Sequence, residues 1–190
     1  LMIKVLDKQI ADKIAAGEVI ERPISIVKEL VENAVDAGAD SIVIEIKNGG
    51  KTYIRVTDNG CGIPQEEVET AFLRHATSKI ETVTDLDAIG TLGFRGEALA
   101  SIAAVTRTEL ITKPAAQKTG KRVVIQGGNV MTNEHTGCPD GTTIVVTDLF
   151  YNTPARLKFM KSDSAESGLI IDFVSQIALA YKDIKFRLIN

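Results

Sequence analysis

A helix followed at once by two strands is the feature of this sequence that most limits its possible folds. Pro23 suits the first turn of a helix, and Gly38 suits the residue after its end. Between them, Glu29, Asn33 and Asp36 are spaced i, i+4 and i+7, so they share one face. The apolar residues on the opposite face are Ile24, Val27, Leu30, Val31, Ala34 and Val35. This pattern predicts an amphipathic helix that presents a polar face.

Residues 41–47 and 51–58 alternate like strands, and Asn48-Gly49-Gly50 between them predicts a hairpin turn. The remaining elements interleave without regular alternation. Helices are predicted over residues 7–16 (ending at Gly17), 64–76, 96–105 and 164–181, and strands over 107–112, 121–126, 142–149 and 184–189. Residues 77–96 predict a long mobile loop, a kind of loop that is usually functional. We therefore expect an α+β fold, a mixed sheet covered by helices on one side, rather than a doubly wound sheet.

Composition narrows the class of protein. The 190 residues predict one domain, with 44% hydrophobic and 25% charged residues. A net charge of −3 gives no sign of a nucleic-acid footprint over the whole domain. DNA contact would therefore need a local basic patch or parts of the protein outside this sequence. Arg156, Lys158 and Lys161 form a modest basic cluster, for which a solvated helix start is at least as good an interpretation. Cys61 and Cys138 match neither a disulfide scaffold nor a metal site. No apolar run reaches the roughly 20 residues of a membrane span, and no membrane partner is expected.

The sequence around Asp58 suggests a site for a flat base. An ionised Asp is acceptor-only, so Asp58 suits the exocyclic amine of adenine. Guanine would place a carbonyl there, at a cost of about 1–3 kcal/mol. Gly60 and Gly62 would let the backbone approach the base closely. The alternative is that Asp58 only forms a turn.

The polar helix face offers two further candidates. Glu29 suits a general base that deprotonates water, although a solvated helix carboxylate is the commoner use of such a residue. Asn33 offers a side-chain oxygen to Mg²⁺, which takes few protein ligands; the alternative is an ordinary polar residue. Asp36 would orient the helix end or waters. No Gly-x-x-x-x-Gly-Lys-Ser/Thr motif is present, which disfavours a P-loop mechanism.

Six segments spread over the chain resemble one family. They are residues 14–23, 29–37, 58–62, 74–80, 93–99 and 148–156. Together they resemble the N-terminal ATPase region of MutL-type DNA mismatch-repair proteins, within the superfamily of gyrase, chaperone, histidine-kinase and MutL ATPases. Residues 150–156 favour the MutL type over gyrase-like and chaperone-like ATPases. A histidine kinase is less consistent with the sequence, because neither of the two histidines lies in a segment that would form a helix-pair dimerisation domain.

The resemblance implies a two-layer α/β sandwich of the Bergerat type, with a mixed, mostly antiparallel sheet, over residues 1–190. It implies ATP and Mg²⁺ as ligands, Glu29 as the catalytic base and Asn33 as the metal ligand. The glycine-bracketed segment 93–99 opens a helix and would hold phosphates, although by composition it is merely a flexible loop and Arg95 has a carboxylate as an alternative partner. The implied ATP-binding residues are Asn33, Asp36, Ala37, Asp58, Gly60, Gly62, Thr77, Gly93, Phe94, Arg95, Gly96, Glu97, Ala98, Leu99 and Thr142.

For the whole protein, the resemblance implies an ATP-hydrolysing switch that couples nucleotide state to dimer closure. Its implied partners are a second copy, a MutS-type mismatch-recognition ATPase and DNA, in the bacterial cytoplasm at the nucleoid or, in a eukaryote, in the nucleus. A second subdomain that supplies a lysine and a C-terminal dimerisation domain would lie beyond residue 190, so we expect weak hydrolysis by this region alone. From another class, a non-hydrolysing nucleotide-binding or protein-interaction module remains an alternative.

Overall fold

The computed structural model describes residues 7–74, 76 and 96–190 of the chain. The helices in these ranges are α1 (Lys8–Val19), α2 (Pro23–Asp36), α3 (Ala98–Val105), α4 (Pro154–Leu157) and α5 (Asp163–Ala180). The strands are β1 (Ser41–Lys47), β2 (Tyr53–Asp58), β3 (Arg107–Lys113), β4 (Gly120–Gln126), β5 (Asn129–Thr136), β6 (Gly141–Thr147) and β7 (Lys185–Ile189). The loop predicted over residues 77–96 lies outside the described residues, except for Gly96.

The seven strands form one sheet in the order β5-β4-β3-β6-β2-β1-β7. All neighbours are antiparallel except β1 and β7, which are parallel. Alternate residues are buried along the inner strands, as Ile42, Ile44 and Ile46 are in β1. Such alternation means that one face of the sheet carries the core beneath the helices. The predicted α+β class and mostly antiparallel sheet are confirmed.

Helix α2 has the predicted boundaries. Pro23 occupies its first turn, and Gly38, at φ +71°, donates its N–H to the Val35 carbonyl at 2.9 Å after the last turn. The buried residues on its sheet-facing side are Pro23, Ile26, Val27, Leu30, Val31 and Ala34. The polar face therefore points away from the core, as the periodicity predicts.

The hairpin between β1 and β2 turns through a short 3₁₀ segment, Asn48–Gly50. Gly49 has φ +67°, and a Cβ there would lie 2.7 Å from the carbonyl oxygen of Asp163 in α5. Lys51 Nζ lies 2.7 Å from Asp163 Oδ1. The glycine is required because the start of α5 packs directly on this turn.

The helix predicted over residues 64–76 is wrong. The segment forms turns and one 3₁₀ turn, Thr70–Phe72, with i→i+3 bonds such as that from the Phe72 N–H to the Glu69 carbonyl at 3.2 Å. Among residues 64–74, only Val68 is fully buried. A short helix with so narrow an apolar face gains too little burial to be stable.

Helix α1 does not end at Gly17 but continues to Val19. A Cβ on Gly17 would lie 1.8 Å from Arg156 Cζ, so the guanidinium of Arg156 occupies the place of a side chain at residue 17. Arg156 Nη1 also donates to the Gly17 carbonyl at 2.8 Å. The glycine in this helix is therefore explained by a contact and not by helix termination.

Strand β5 was not predicted. It lies at the edge of the sheet, and β4 is its one partner among the described strands. Val130 and Met131 are 51% and 62% exposed, and the strand lacks apolar alternation. An edge strand that buries neither face gives no period-two signal in the sequence.

Candidate functional site

The end of β2, the start of β6, the end of β3 and the turn after α2 meet at one corner of the fold. We call this group the base corner; its residues are Ala37, Asp58, Gly60, Gly62, Thr112, Gly141 and Thr142. Asp58 is the last residue of β2 and lies opposite Thr142 in β6. The corner therefore collects residues that are far apart in the sequence.

The Asp58 carboxylate is fixed by backbone donors. Its Oδ1 accepts the Gly60 N–H at 2.8 Å, and the Thr142 N–H also bonds to the carboxylate. Burial raises the pKa of Asp58 above its usual value of 3.8, and these two N–H bonds oppose part of that shift. The result is a partly buried acceptor whose direction is set by the main chain.

The glycines of the base corner are sites of close backbone approach. A Cβ on Gly60 would lie 2.8 Å from the Cβ of Ala37, and the Cys61 N–H donates to the Ala37 carbonyl at 2.9 Å. Gly62 has φ +70°, and a Cβ there would lie 2.5 Å from the Lys113 carbonyl oxygen. The turn after Asp58 is thus held between the end of α2 and the end of β3.

Thr112 is a buried residue of the base corner that was not predicted from the sequence. It is 0% exposed in β3, and its Oγ1 contacts the Gly141 carbonyl oxygen at 3.0 Å and Thr142 Oγ1 at 3.0 Å. The Ile63 N–H donates to the same oxygen at 2.9 Å. The run Leu110-Ile111-Thr112 gives no local signal of this role, because all three partners come from other parts of the chain.

Helix α2 contacts the base corner at its C-terminal end, and its polar residues lie on the turns before that end. Ala37 follows α2 directly and contacts the Asp58 turn, while Glu29, Asn33 and Asp36 lie on the preceding turns and are partly buried. All three carry interactions within the chain. The structure thus brings the predicted base-binding and α2 residues to neighbouring positions.

Part of the predicted phosphate segment is described. Gly96 has φ +60°, and a Cβ on it would lie 2.8 Å from the Ala76 carbonyl oxygen, so the two ends of the loop predicted over residues 77–96 meet. Glu97 is the N-cap residue of α3, and Ala98 and Leu99 form its first turn. Helix α1 packs against α3. Thr77, Gly93, Phe94 and Arg95 lie outside the described residues.

The C-terminal end of α3 is hydrogen-bonded in full. The carbonyls of residues 102–105 would lack partners in an isolated helix. In order, their donors are Thr106 Oγ1 (2.7 Å), the Gly128 N–H (2.9 Å), Asn152 Nδ2 (2.9 Å) and the Phe150 N–H (2.9 Å). Two donors belong to the segment 150–156, whose role in holding α3 was not predicted. We call this group the α3 cap.

The side chain of Arg156 makes contacts within the fold. Its guanidinium bonds to Gly17 and lies 5.8 Å from the centre of the Phe150 ring, which is fully buried. Lys158 and Lys161 are exposed. The basic cluster considered for DNA contact therefore keeps two exposed cations, while Arg156 links α1 to the segment after β6.

Comparison with known proteins identifies the class. The family model described as "Histidine kinase-, DNA gyrase B-, and HSP90-like ATPase" matches residues 21–136, and the chain belongs to this family. Within the family, the chain is similar to the DNA mismatch repair protein MutL of Agathobacter rectalis, with 56% identity over 188 residues. It is 53% identical to MutL of Symbiobacterium thermophilum over 185 residues. These matches confirm the predicted resemblance to a MutL-type ATPase region.

The matches cover 99% and 97% of this chain but only 29% of each relative, so the chain spans under a third of the curated relatives' length. Among solved structures, the Aquifex aeolicus MutL ATPase domain complexed with ADP has a TM-score of 0.74 and 34% identity, covering 90% of this chain and 60% of that one. The N-terminal domain of a DNA repair protein has a TM-score of 0.78 and 31% identity, covering 94% and 51%. These likenesses confirm the fold and the predicted ATPase class.

Among the described helices, none combines the length and hydrophobicity needed to cross a bilayer.

Proposed function

We propose that this chain binds ATP with Mg²⁺ and hydrolyses it as the ATPase region of a MutL-type mismatch-repair protein. One observation carries the proposal. At the base corner, a carboxylate on the last residue of a strand is fixed by two main-chain N–H groups, and glycines let the turn after it pack directly against the end of α2 and the end of β3. Membership of an ATPase family and the ADP complex of a similar domain support adenine as that ring.

Base recognition rests on Asp58. Its ionised carboxylate accepts a hydrogen bond from the adenine amine, and would face the carbonyl of guanine unfavourably. Thr142 contributes its hydroxyl beside it, and Ala37 packs on a ring face. Gly60 and Gly62 keep the backbone close to the base.

Hydrolysis is assigned to Glu29. The oxygen of a water molecule attacks the terminal phosphorus, the bond to the bridging oxygen of ADP breaks, and Glu29 accepts a proton from the water. Support comes from the position of Glu29 on the polar face of α2, the helix whose end contacts the Asp58 turn. Positioned bases contribute about 10²–10⁴ in rate. Asp36 orients the helix end or nearby waters.

The residues present fit a magnesium ion held by few protein ligands. No cluster of three or more His, Cys, Asp or Glu that could hold a metal occurs among the residues the structure describes. Mg²⁺ does not need such a cluster, because it is usually held by one or two protein oxygens, water and substrate phosphates. Asn33 would hold it through its amide oxygen. When bound, the ion supplies charge neutralisation at the phosphates.

The start of α3 is the proposed phosphate cradle. Main-chain N–H groups at Gly96, Glu97, Ala98 and Leu99 open the helix, where its dipole favours anions. The contact between Gly96 and Ala76 supports a site at which both ends of the loop predicted over residues 77–96 converge. The roles of Thr77, Gly93, Phe94 and Arg95 stay predictions from the resemblance.

For the whole protein, we propose that ATP closes a homodimer and changes contacts with a MutS-type ATPase and DNA. Residues 1–190 would form the first subdomain, and weak hydrolysis is expected without the rest of the ATPase region. The similarity to bacterial MutL proteins supports a cytoplasmic protein that acts at the nucleoid.

Calorimetry with a nonhydrolysable ATP analogue, with and without Mg²⁺, tests the proposal. Asp58→Asn should weaken binding about tenfold to a hundredfold, because it removes a charge-assisted bond. Asn33→Ala should mainly abolish the effect of Mg²⁺. Asp172→Asn, an exposed change on α5, serves as the matched control and should bind normally.

Two outcomes would contradict this function. If the wild-type chain binds no ATP, the nucleotide site is wrong, and an interaction module becomes the better assignment. If Asp58→Asn binds as tightly as wild type, the base corner is not where adenine is recognised.

A further inference from the structure

The hydroxyl of Thr112 has three polar neighbours but a single hydrogen. The Ile63 N–H is a donor, at 2.9 Å, so the Thr112 oxygen accepts there. The Gly141 carbonyl is an acceptor, at 3.0 Å, so the Thr112 hydrogen points to it. Thr142 Oγ1 at 3.0 Å is the third neighbour, and a hydroxyl is able to donate or accept.

Counting hydrogens fixes the direction of the third bond. Because the hydrogen of Thr112 is already used on the Gly141 carbonyl, Thr142 must donate to Thr112. The Thr142 hydroxyl then has no hydrogen left, and its oxygen is an acceptor for any further partner. Thr112 is 0% exposed, so water does not compete for these bonds.

The orientation matters because Thr142 adjoins Asp58. The Thr142 N–H bonds to the Asp58 carboxylate, and the two residues are opposite each other in the sheet. With its hydroxyl fixed, Thr142 adds a second acceptor to the carboxylate. Two acceptors favour a base edge that carries an amine and disfavour one that carries a carbonyl.

We infer that Thr112 is a positioning residue that sets base selectivity by holding the Thr142 hydroxyl as an acceptor. This inference rests on the proposed function, since it requires that the base corner binds a purine. Thr112 itself does not touch the base. Its contribution is the direction of one hydrogen at a neighbouring residue.

The experiment compares the affinities for ATP and for ITP, whose hypoxanthine carries a carbonyl in place of the adenine amine. Thr112→Val keeps the shape and removes the hydroxyl, which frees the Thr142 hydrogen to turn towards the ITP carbonyl. The preference for ATP over ITP should fall about threefold to tenfold, the value of one neutral hydrogen bond. Thr112→Ser keeps the hydroxyl and should keep the preference.

Thr108→Val is the matched control. Thr108 lies on the same face of β3, is 1% exposed, and bonds through its hydroxyl to Thr106 Oγ1 at 2.8 Å. This variant should leave the ratio of ATP to ITP affinity unchanged. Thr112→Ala is a second test of the missing hydroxyl if Thr112→Val does not fold, as judged by its thermal unfolding.

A double-mutant cycle shows whether Thr112 acts through Thr142. In a Thr142→Val background, Thr112→Val should not change the ratio further, because the hydroxyl that it orients is already absent. If Thr112→Val lowers both affinities equally, Thr112 is merely structural and the inference is wrong while the nucleotide site stands. If wild type binds neither nucleotide, the inference and the proposed function both fail.

Discussion

Strand β3 has a buried threonine network at each end. The two networks differ in whether all their hydrogen-bonding partners lie within the chain. At its start, Thr106 donates to the last turn of α3 and bonds to Thr108, within the α3 cap. At its end, Thr112 connects the base corner. The α3 cap is closed, since all four helix carbonyls are bonded within the chain. The base corner instead directs acceptors at a proposed ligand. If the proposed function holds, the same residue type supports stability at one end and base recognition at the other.

The largest effect should come from Gly141→Ala, which tests how tightly the base corner is packed. Gly141 has φ +106°, and a Cβ there would lie 2.2 Å from the Asp58 carbonyl oxygen. Strain and displacement of β2 should lower the free energy of unfolding by about 3 kcal/mol and abolish ATP binding. Urea denaturation measures the first effect.

Gly137→Ala is the control for this change, because a Cβ at residue 137 would meet nothing within 4 Å. It should alter the free energy of unfolding by less than about 0.5 kcal/mol. Equal effects of the two substitutions would mean that the close approach at Gly141 does not constrain the corner.

A smaller effect on stability, and none on selectivity, is expected at the α3 cap. Asn152→Asp replaces the donor to the Ala104 carbonyl by an oxygen and should cost about 1–3 kcal/mol in the free energy of unfolding. The ratio of ATP to ITP affinity should stay at the wild-type value, with exposed Asn129→Asp as the control. A changed ratio would show that the two ends of β3 are coupled and would remove the contrast between them.

The smallest effect is a pH dependence at the base corner. Burial raises the pKa of Asp58, so the folded chain keeps this proton to higher pH than the unfolded chain. The contribution of Asp58 to stability therefore falls as pH rises from 3.8 through the raised pKa. ATP affinity should rise over the same interval, because only the carboxylate accepts from the amine without competition from its own proton.

Thermal unfolding and calorimetry over the acid range, each compared with Asp58→Asn, separate these opposite trends. The variant should lack both. If the stability and the affinity of the wild type, each measured relative to Asp58→Asn, change in the same direction with pH, Asp58 is not the group that titrates.

Local patterns predicted the elements that set the position of the site. Helix α2, the β1–β2 hairpin and the α3 helix each have a strong period or a clear boundary residue, and each is found where expected. The helix predicted over residues 64–76 does not form, because the apolar face that this segment would present as a helix is too narrow to bury. Strand β5 was missed because an exposed edge strand has no alternation.

The contacts within the site were less predictable than the elements. Asp58, Gly60 and Gly62 are neighbours in sequence, so their turn was recognisable. Thr112 was not, because its partners at residues 63 and 141 are 49 and 29 positions away. A single sequence shows which residue types are present, but it does not show which hydroxyl groups form hydrogen bonds with residues distant in the chain.

The contact between Gly17 and Arg156 has a consequence for sequence variation. The two residues are 139 positions apart, and the arginine head group fills the volume that any side chain at residue 17 would need. An alanine at residue 17 would therefore displace the flexible end of Arg156 and break its bond to the Gly17 carbonyl. In a combinatorial library, the cost of a side chain at residue 17 should therefore depend on the residue at 156, and shorter residues at 156 should lower it.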